Sequence, residues 1–147
     1  MDLELKSAAL SELSTPLLAV PVFEDERGNA FELVDTALNG LASRISDEEE
    51  FEAKAGTSLL IRQDEDQALR RVLLVGLGKS ADFKPSDYRA ISCAAVKEAN
   101  KRRCSGATCL LPAGVSSGDV IRFGVEGAVL GGYRYTKWLS RDVKDDT

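Results

Sequence analysis

The sequence predicts an α/β domain built in layers, with helices flanking a largely parallel or mixed sheet. Short apolar runs of strand length alternate with segments whose apolar residues recur at helical spacing. The chain has 147 residues, and a domain of that size buries roughly 70% of the surface of its unfolded chain. Apolar residues make up 44% and charged residues 29%, as in an ordinary globular protein. Strands that alternate with helices favour parallel pairing.

The net charge of −5, from 19 basic and 24 acidic residues, restricts the partners. Nucleic acids and anionic membranes both require a cationic surface, so we expect neither as a partner. The N-terminal residues MDLELKSAALSEL lack the basic and apolar regions of a signal peptide. The longest apolar stretches, LLAVPVF and VLLVGL, are too short to span a bilayer. These features predict a cytoplasmic protein.

The chain contains no histidine, and this excludes several chemistries. Ser-His-Asp and Cys-His nucleophile pairs and imidazole metal ligands are absent. Catalysis would depend on carboxylates, lysines or thiols. Cys93, Cys104 and Cys109 include no C-x-x-C pair, so we interpret them as reduced, small apolar residues. Zinc binding by Cys104 and Cys109 would need further thiol or histidine ligands that the chain lacks.

The first part of the chain predicts a buried strand followed by helical segments. Residues 17–23 (LLAVPVF) form the strand, and Pro21 belongs at a sheet edge or at the strand's end because proline cannot donate to a ladder. A polar turn follows at 24–29. Over 34–45, apolar residues recur at helical spacing in one stripe, made up of Val34, Leu38, Leu41 and Ile45.

Two signals modify this helical stretch. Asn39-Gly40 lies inside the stripe and weakens it by roughly 1 kcal/mol relative to alanine. Ser46 and Glu49 resemble a capping box, which predicts that a short acidic helix begins at Ser46.

The middle of the chain predicts two strands separated by a turn. Residues 57–62 (TSLLIR) form one strand, and 64–68 (DEDQA) form the turn. Residues 70–77 (RRVLLVGL) form a central strand of the sheet.

The last part predicts a helix, a short strand and another helix. Pro85 marks the start of the first helix and Ser105-Gly106 its end. Its buried face comprises Tyr88, Ile91, Ala95 and Ala99. A strand over 107–111 ends at Pro112. Ser116 with Asp119 is a capping signal for the second helix, whose apolar positions include Ile121, Val125, Ala128 and Leu130.

The stretch Gly76-Leu77-Gly78-Lys79-Ser80 resembles a phosphate-binding loop, but two requirements fail. The Walker pattern needs a glycine at position 73, which is Leu73, and a helix that begins at the lysine. The dinucleotide pattern G-x-G-x-x-G/A fits formally as Gly76, Gly78 and Ala81. However, no helix follows it directly. The acidic residue that the pattern places about 20 residues further on, to bind the ribose, would be Glu98, which lies late in a predicted helix. A strand ending at a glycine turn, with Lys79 in solvent, is favoured, and a nicotinamide- or ATP-dependent enzyme is least favoured.

The remaining candidate groups are weaker still. Asp47-Glu48-Glu49-Glu50 and Asp64-Glu65-Asp66 lack the spaced oxygen ligands of a calcium loop, so they indicate solvated surface. Three aromatic residues close to the C-terminus favour interface or core packing over base stacking: Tyr133, Tyr135 and Trp138. No catalytic, cofactor-binding or metal-binding residue is assigned.

The order of segments is similar to that of a known family. LLAVPVFED begins at Leu17, RRVLLVGLGK follows at 70–79, and EGAVLGGYRYTKW occupies 126–138. Together these resemble the N-terminal domain of the leucyl aminopeptidase, or cytosol aminopeptidase, family from about Leu17 to Trp138. One departure is that Ala53-Lys54-Ala55-Gly56 keeps only one of the family's two glycines, which affects the shape of a turn.

The resemblance implies a three-layer, macro-domain-like fold over residues 1–138, with 139–147 as a charged tail or the start of a linker. It also implies a non-catalytic accessory part of a longer enzyme, which packs outside the peptidase core of a hexamer. That enzyme would use zinc or manganese in a C-terminal domain to release N-terminal leucine and similar residues from peptides. Its metal-binding run, Asn-Thr-Asp-Ala-Glu-Gly-Arg, does not occur in these 147 residues, so no catalytic position carries over.

An alternative function stays open at this point. The macro-domain-like fold also implies a stand-alone module that binds ADP-ribose or another phosphate-bearing ligand. GLGKS or LLPAGVSSGD (110–119) would supply its glycine loops.

Overall fold

A computed structural model describes residues 15–63, 69–104, 106–110, 118, 122–124 and 126. Its elements, in chain order, are β1 (Leu18–Val22), α1 (Asn29–Ala37), α2 (Leu41–Glu48), β2 (Ser58–Arg62), β3 (Arg71–Gly76), α3 (Tyr88–Arg102) and β4 (Thr108–Cys109). Short 3-10 turns at Ser80–Asp82 and Pro85–Asp87 lie between β3 and α3. Residues 118, 122–124 and 126 are helical.

The four described strands form one mixed sheet in the order β2-β3-β1-β4. β1 pairs in parallel with both β3 and β4, whereas β2 runs antiparallel to β3. The predicted largely parallel or mixed sheet is therefore confirmed, and RRVLLVGL does form a central strand.

Pro21 shows how the end of β1 is built. The carbonyl groups of Leu17 and Ala19 accept hydrogen bonds from the β4 side, whereas that of Val22 accepts one from Leu77 after β3. The backbone N–H and C=O groups of successive residues in a strand point to opposite sides. The backbone of Pro21 therefore points to the same side as that of Leu17 and Ala19, toward β4, and it has no N–H to donate there. β4, as described, ends at Cys109, opposite Ala19. Among the described residues, β1 has no further strand partner on that side at Pro21, which agrees with the inability of proline to donate to a ladder.

Two apolar layers cover the sheet, one on each face. On one face, α1 and α2 bury the even-numbered residues of β1 and β3; on the other, α3 buries the odd-numbered ones. The first layer is centred on Leu18, Val20, Val22, Phe31, Val34, Ile61, Val72 and Leu74. The second is centred on Leu17, Ala19, Leu73, Val75, Leu77, Tyr88, Ile91, Ala95 and Ala99. Helices on both faces explain why β1 and β3 read as continuous apolar runs.

The predicted stripe over 34–45 is divided between two helices. α1 ends at Ala37 and α2 begins at Leu41, because Asn39 and Gly40 have φ angles of 57° and 84°, outside the right-handed helical region. Asp35 joins the two helices across the break, accepting hydrogen bonds from the Ser43 N–H at 2.9 Å and the Ser43 hydroxyl at 2.6 Å.

The predicted helix start at Ser46 is wrong. Ser46 lies inside α2, where it is buried, and its Oγ has no hydrogen-bond partner among the described residues. Glu49 follows the last helical residue, and Glu50 has a φ of 56°. The acidic run therefore lies at a helix C-terminus, where the macrodipole disfavours negative charge, rather than at the N-terminus that a capping box would mark.

The predicted start of α3 is confirmed, but its end comes earlier than predicted. The 3-10 turn at Pro85–Asp87 leads into α3, and the predicted face of Tyr88, Ile91, Ala95 and Ala99 is buried. Arg103 ends the helix in the left-handed region with a φ of 57°, before Ser105-Gly106. β4 is shorter than the predicted strand over 107–111.

Several predictions fall outside the described residues. These are the turn at 64–68, the strand end at Leu111 and Pro112, the capping pair Ser116 and Asp119, the helical positions Ile121, Val125, Ala128 and Leu130, the aromatics Tyr133, Tyr135 and Trp138, and the tail at 139–147.

Gly76 is required where β3 leaves the sheet. A Cβ at this position would lie 2.6 Å from the backbone carbon of Ala53 and 2.7 Å from Thr57 Oγ1, and it would also collide with the Lys54 carbonyl oxygen. The segment 53–57 therefore packs directly on the backbone of Gly76. Within that segment, Ala53 has a φ of 62°, so a non-glycine residue occupies the left-handed region, which L-residues other than Asn and Asp rarely adopt.

We expect the change Gly76→Ala to destabilise the fold by about 1–3 kcal/mol, because the added methyl forces the 53–57 segment outward. Urea denaturation followed by circular dichroism measures this. The matched control is Gly118→Ala, because Gly118 is helical and no atom of the described residues lies within 4 Å of an added Cβ. It should leave stability unchanged or slightly higher. Equal stability of the Gly76 variant and the wild type would contradict the close-packing account.

Candidate functional site

The loops that follow β1 and β3 lie side by side at the carboxyl end of the sheet. β1 and β3 are adjacent and parallel, and their connections leave toward opposite faces, to α1 and to α3 respectively. In open α/β sheets, ligands bind in the crevice between strands whose connections diverge in this way. The topology therefore makes this crevice the candidate site.

Direct contacts between the two loops close the crevice. The Glu24 N–H donates to the Gly78 carbonyl at 2.9 Å. Asp25 accepts two hydrogen bonds from Ser80, one from its N–H at 3.0 Å and one from its hydroxyl at 2.7 Å. The Phe23 and Phe83 rings meet edge to face with centroids 5.6 Å apart. The space that a ligand would need between the loops is thus occupied by the chain's own groups.

Four N–H groups of the GLGKS stretch, those of Gly76, Leu77, Gly78 and Ser80, already donate hydrogen bonds inside the protein. Gly76 donates to the Thr57 carbonyl at 2.8 Å, and Gly78 donates to that of Ala53 at 3.0 Å. Leu77 donates to the Val22 carbonyl at 2.9 Å, and the Ser80 N–H is held by Asp25. A phosphate loop works because its N–H groups point at the ligand. Here a phosphate would have to displace strand-end hydrogen bonds and a carboxylate.

Asp25 is the polar residue that fixes this arrangement. The hydrogen bonds from the Ser80 N–H and then the Ser80 hydroxyl lower the pKa of Asp25 from 3.8 to about 2, because both stabilise the carboxylate form. Sequence reasoning assigned Asp25 only to a polar turn. Its position could have indicated this contact, because Asp25 follows the first predicted strand and the GLGKS turn follows a later one, and the carboxyl ends of parallel strands lie at the same edge of a sheet.

A cavity of about 290 Å³ lies beside the closed crevice, on the α1 and α2 side. It is lined by Val22, Phe23, Glu24, Arg27, Phe51, Glu52 and Ala53. Its cation, Arg27, is engaged by Asp47 at 3.0 Å and lies over the Phe31 ring at 5.0 Å. The remaining charged groups of the wall are the carboxylates of Glu24 and Glu52, so the electrostatic environment disfavours an anionic ligand.

The other candidates from the sequence are brought into ordinary structural contacts. Lys79 is exposed beside the turn, and Ala81 lies in the 3-10 turn rather than at a helix start. Glu98 pairs with Arg102 at 2.7 Å within α3, so its carboxylate is engaged away from the strand ends.

The cysteines are poorly suited to nucleophilic or metal chemistry. All three are free. Burial raises the pKa of Cys109 to about 12 and also raises that of Cys104. The thiolate is the reactive and metal-binding form, so both side chains remain neutral thiols at pH 7. Within the described part of the chain, no group of three or more His, Cys, Asp or Glu side chains could hold a metal ion. These residues do not fit a zinc or manganese site.

Phe123 and its neighbours fasten the last helical residues to α3. Its ring lies 5.4 Å from the Arg89 guanidinium and 5.0 Å from that of Arg122. Glu126 pairs with Arg89 at 2.8 Å and with Arg122 at 3.6 Å. These charged residues surround Phe123 at the edge of the second apolar layer, and their contacts with one another indicate a structural role.

Comparison with solved structures defines the class of the domain. The fold matches the macrodomain of Mycobacterium tuberculosis DarG with a TM-score of 0.65 at 13% identity, covering 88% of this chain and 90% of that one. It matches a mutant of tomato leucine aminopeptidase with a TM-score of 0.69 at 25% identity, covering 98% of this chain and 30% of that one. The molecule is therefore a macrodomain-like α/β domain.

Sequence comparison identifies the family. The model of the cytosol aminopeptidase family, N-terminal domain, matches residues 19–142. A protein from Geobacter sp. (strain M21) named "Probable cytosol aminopeptidase" is 34% identical over 142 residues, and the match covers 97% of this chain and 29% of that relative. The chain belongs to the cytosol aminopeptidase family and corresponds to its N-terminal domain. It spans less than a third of the relative's length. Among the described residues, no helix combines the length and the hydrophobicity needed to cross a membrane.

We expect the change Asp25→Asn to lower thermal stability in a pH-dependent way. The folded-state pKa of Asp25 is depressed, so its stabilising contribution is complete above 3.8 and is lost as the pH falls to about 2. The difference in melting temperature between wild type and variant should therefore shrink over that interval, as measured by circular dichroism at a series of pH values.

The control for this experiment is Asp82→Asn, which removes an exposed carboxylate from the neighbouring 3-10 turn. It should leave the pH dependence of melting unchanged. A difference between wild type and Asp25→Asn that stays constant down to the lowest pH would show that the Asp25 charge does not stabilise the folded state.

Proposed function

We propose that this chain is the non-catalytic accessory domain of a metal-dependent leucyl aminopeptidase. It would pack against a C-terminal peptidase domain and support assembly of the homo-oligomer, a hexamer by resemblance to the family. The peptidase domain would hold the zinc or manganese, polarise the peptide carbonyl and prepare the attacking water. The substrates of the whole enzyme would be peptides with N-terminal leucine or a similar residue.

The observation that carries this proposal is the extent of the family match. Nearly the whole chain aligns with under a third of an aminopeptidase relative, in the family's N-terminal domain. The chemistry of the described residues agrees with an accessory role. The candidate crevice is closed by Asp25 and Ser80, burial keeps Cys104 and Cys109 protonated, and no described cluster fits a metal.

A phosphate-binding module is the second candidate, and the fold match to a macrodomain favours it. The charge of the cavity wall and the engaged N–H groups of Gly76 and Gly78 oppose it. A thermal-shift titration with ADP-ribose separates the two, since a ligand that binds only the folded state must raise the melting temperature. We expect no shift.

The accessory role makes a direct prediction about activity and association. The chain alone, given Mn²⁺ or Zn²⁺ and leucyl-p-nitroanilide, should show no turnover above the metal-only background. Mixed with the separately produced peptidase domain of the Geobacter relative, or of its own full-length enzyme, it should co-elute in size-exclusion chromatography. Turnover at enzyme-like rates by the chain alone would overturn the accessory role, and failure to co-elute with its own peptidase domain would overturn the packing role.

A further inference from the structure

The outer edge of β2 offers unpaired backbone groups. In the antiparallel pair with β3, the Thr57 carbonyl accepts a hydrogen bond from the Gly76 N–H, and the Gln63 N–H donates to the Arg70 carbonyl. The backbone groups of the odd-numbered residues of β2 therefore face β3. The N–H and C=O groups of the even-numbered residues therefore face outward: Ser58, Leu60 and Arg62. Within the described sheet no strand pairs with this edge.

A pair of arginines lies at the end of the same strand. Arg62 of β2 is directly opposite Arg71 of β3, so both side chains lie on the α3 face of the sheet. Like charges directly opposite each other in a ladder are destabilising. None of the ion pairs in the described part of the chain involves Arg62 or Arg71.

The surroundings of Arg71 add to this excess of positive charge. Its Nε is buried and has no hydrogen-bond partner within the described residues. Burial raises the pKa of Cys104, whereas Arg71, Arg70 and Arg102 oppose that rise and Glu98 adds to it. Glu98 is paired with Arg102, so Arg70 and Arg71 are the cations near Cys104 that this carboxylate does not pair with. The C-terminal dipole of α3 tolerates cations there, but a dipole does not supply the hydrogen-bond acceptors that a guanidinium requires.

We propose that the outer edge of β2, with Arg62 and Arg71, is a docking site for an extended acidic segment of a partner polypeptide. The segment adds a strand to the sheet through the backbone groups of Ser58, Leu60 and Arg62. Its carboxylates lie on the α3 face beside Arg62. This site is independent of the proposed function and is tested on the chain alone.

The two faces of β2 specify the pattern of the partner segment. On the α3 face, Arg62 favours a carboxylate, since carboxylates bind guanidinium groups in bidentate fashion. On the opposite face, Leu59 and Ile61 pack against the first apolar layer, which favours an apolar neighbour. A segment that alternates acidic and β-branched residues meets both demands, and strand addition combines backbone affinity with such side-chain pockets.

The test uses a blocked peptide of alternating glutamate and valine, titrated into the labelled chain and followed by NMR. We expect saturable shifts centred on the amide groups of Ser58, Leu60 and Arg62. Arg62→Ala should weaken the affinity about tenfold through loss of a charge-assisted contact. The same variant should keep or raise the melting temperature, because it removes the repulsion between Arg62 and Arg71.

Two further variants separate edge pairing from charge alone. Ser58→Pro removes an outward N–H while leaving the ladder to β3 intact, and it should weaken binding without loss of the fold. Arg44→Ala removes an exposed charge from α2 and should leave binding unchanged.

Three results would overturn the proposal. The first is equal binding of a peptide with lysine in place of glutamate. The second is tighter binding of an oligonucleotide than of the acidic peptide, because the site would then be a general polyanion surface. The third is concentration-dependent self-association through β2 that the peptide does not compete with. Each of these leaves the accessory role intact, since that role is judged by activity and co-elution.

Discussion

The burial of the β1–β3 pair on both of its faces is the constraint on which the rest of the structure depends. These two parallel strands contribute buried side chains to both apolar layers, and α1, α2 and α3 each pack on one face or the other. Parallel strands buried in this way need connections that cross the sheet. The positions of α1, α2 and α3 follow from that need, and so does the meeting of the two loops at the carboxyl end. Asp25 and Ser80 then join those loops.

The strands and the buried face of α3 could be predicted from the sequence because their signals are local and strong. Apolar runs of strand length mark β1 and β3, and small residues at helical spacing mark the packed face of α3. The errors arose where backbone conformation, rather than hydrophobicity, decides. Asn39 and Gly40 divide one apolar stripe into two helices through positive φ angles, and Arg103 ends α3 in the same way. A capping-box pattern at Ser46 is also compatible with a helix interior, and only the packing of α2 distinguishes the two.

The candidate site was harder to predict because its decisive contacts join residues distant in sequence. The glycines of GLGKS suggested a phosphate loop, whereas their structural reasons are different. Gly76 admits the backbone of 53–57, and Gly78 turns the chain with a φ of 81°. Asp25 is 55 positions from Ser80, so no local pattern reports their contact. Fold similarity alone does not assign a function either, because one fold can host unrelated functions; the family was identified from the sequence match instead.

The C-terminal end of α2 has a consequence for the order in which the molecule opens. This helix buries a serine hydroxyl that has no partner among the described residues, and it ends in a run of carboxylates facing its own negative pole. Regions with such unfavourable local interactions can unfold locally, and the free energy of this local opening is lower than that of global unfolding. We therefore expect the amide hydrogens of α2 to exchange with deuterium well before those of β1 and β3, and added salt to slow this exchange by screening the repulsion. Phe51, Glu52 and Ala53, which line the cavity, follow shortly after this helix, so opening of α2 would also loosen one wall of the cavity.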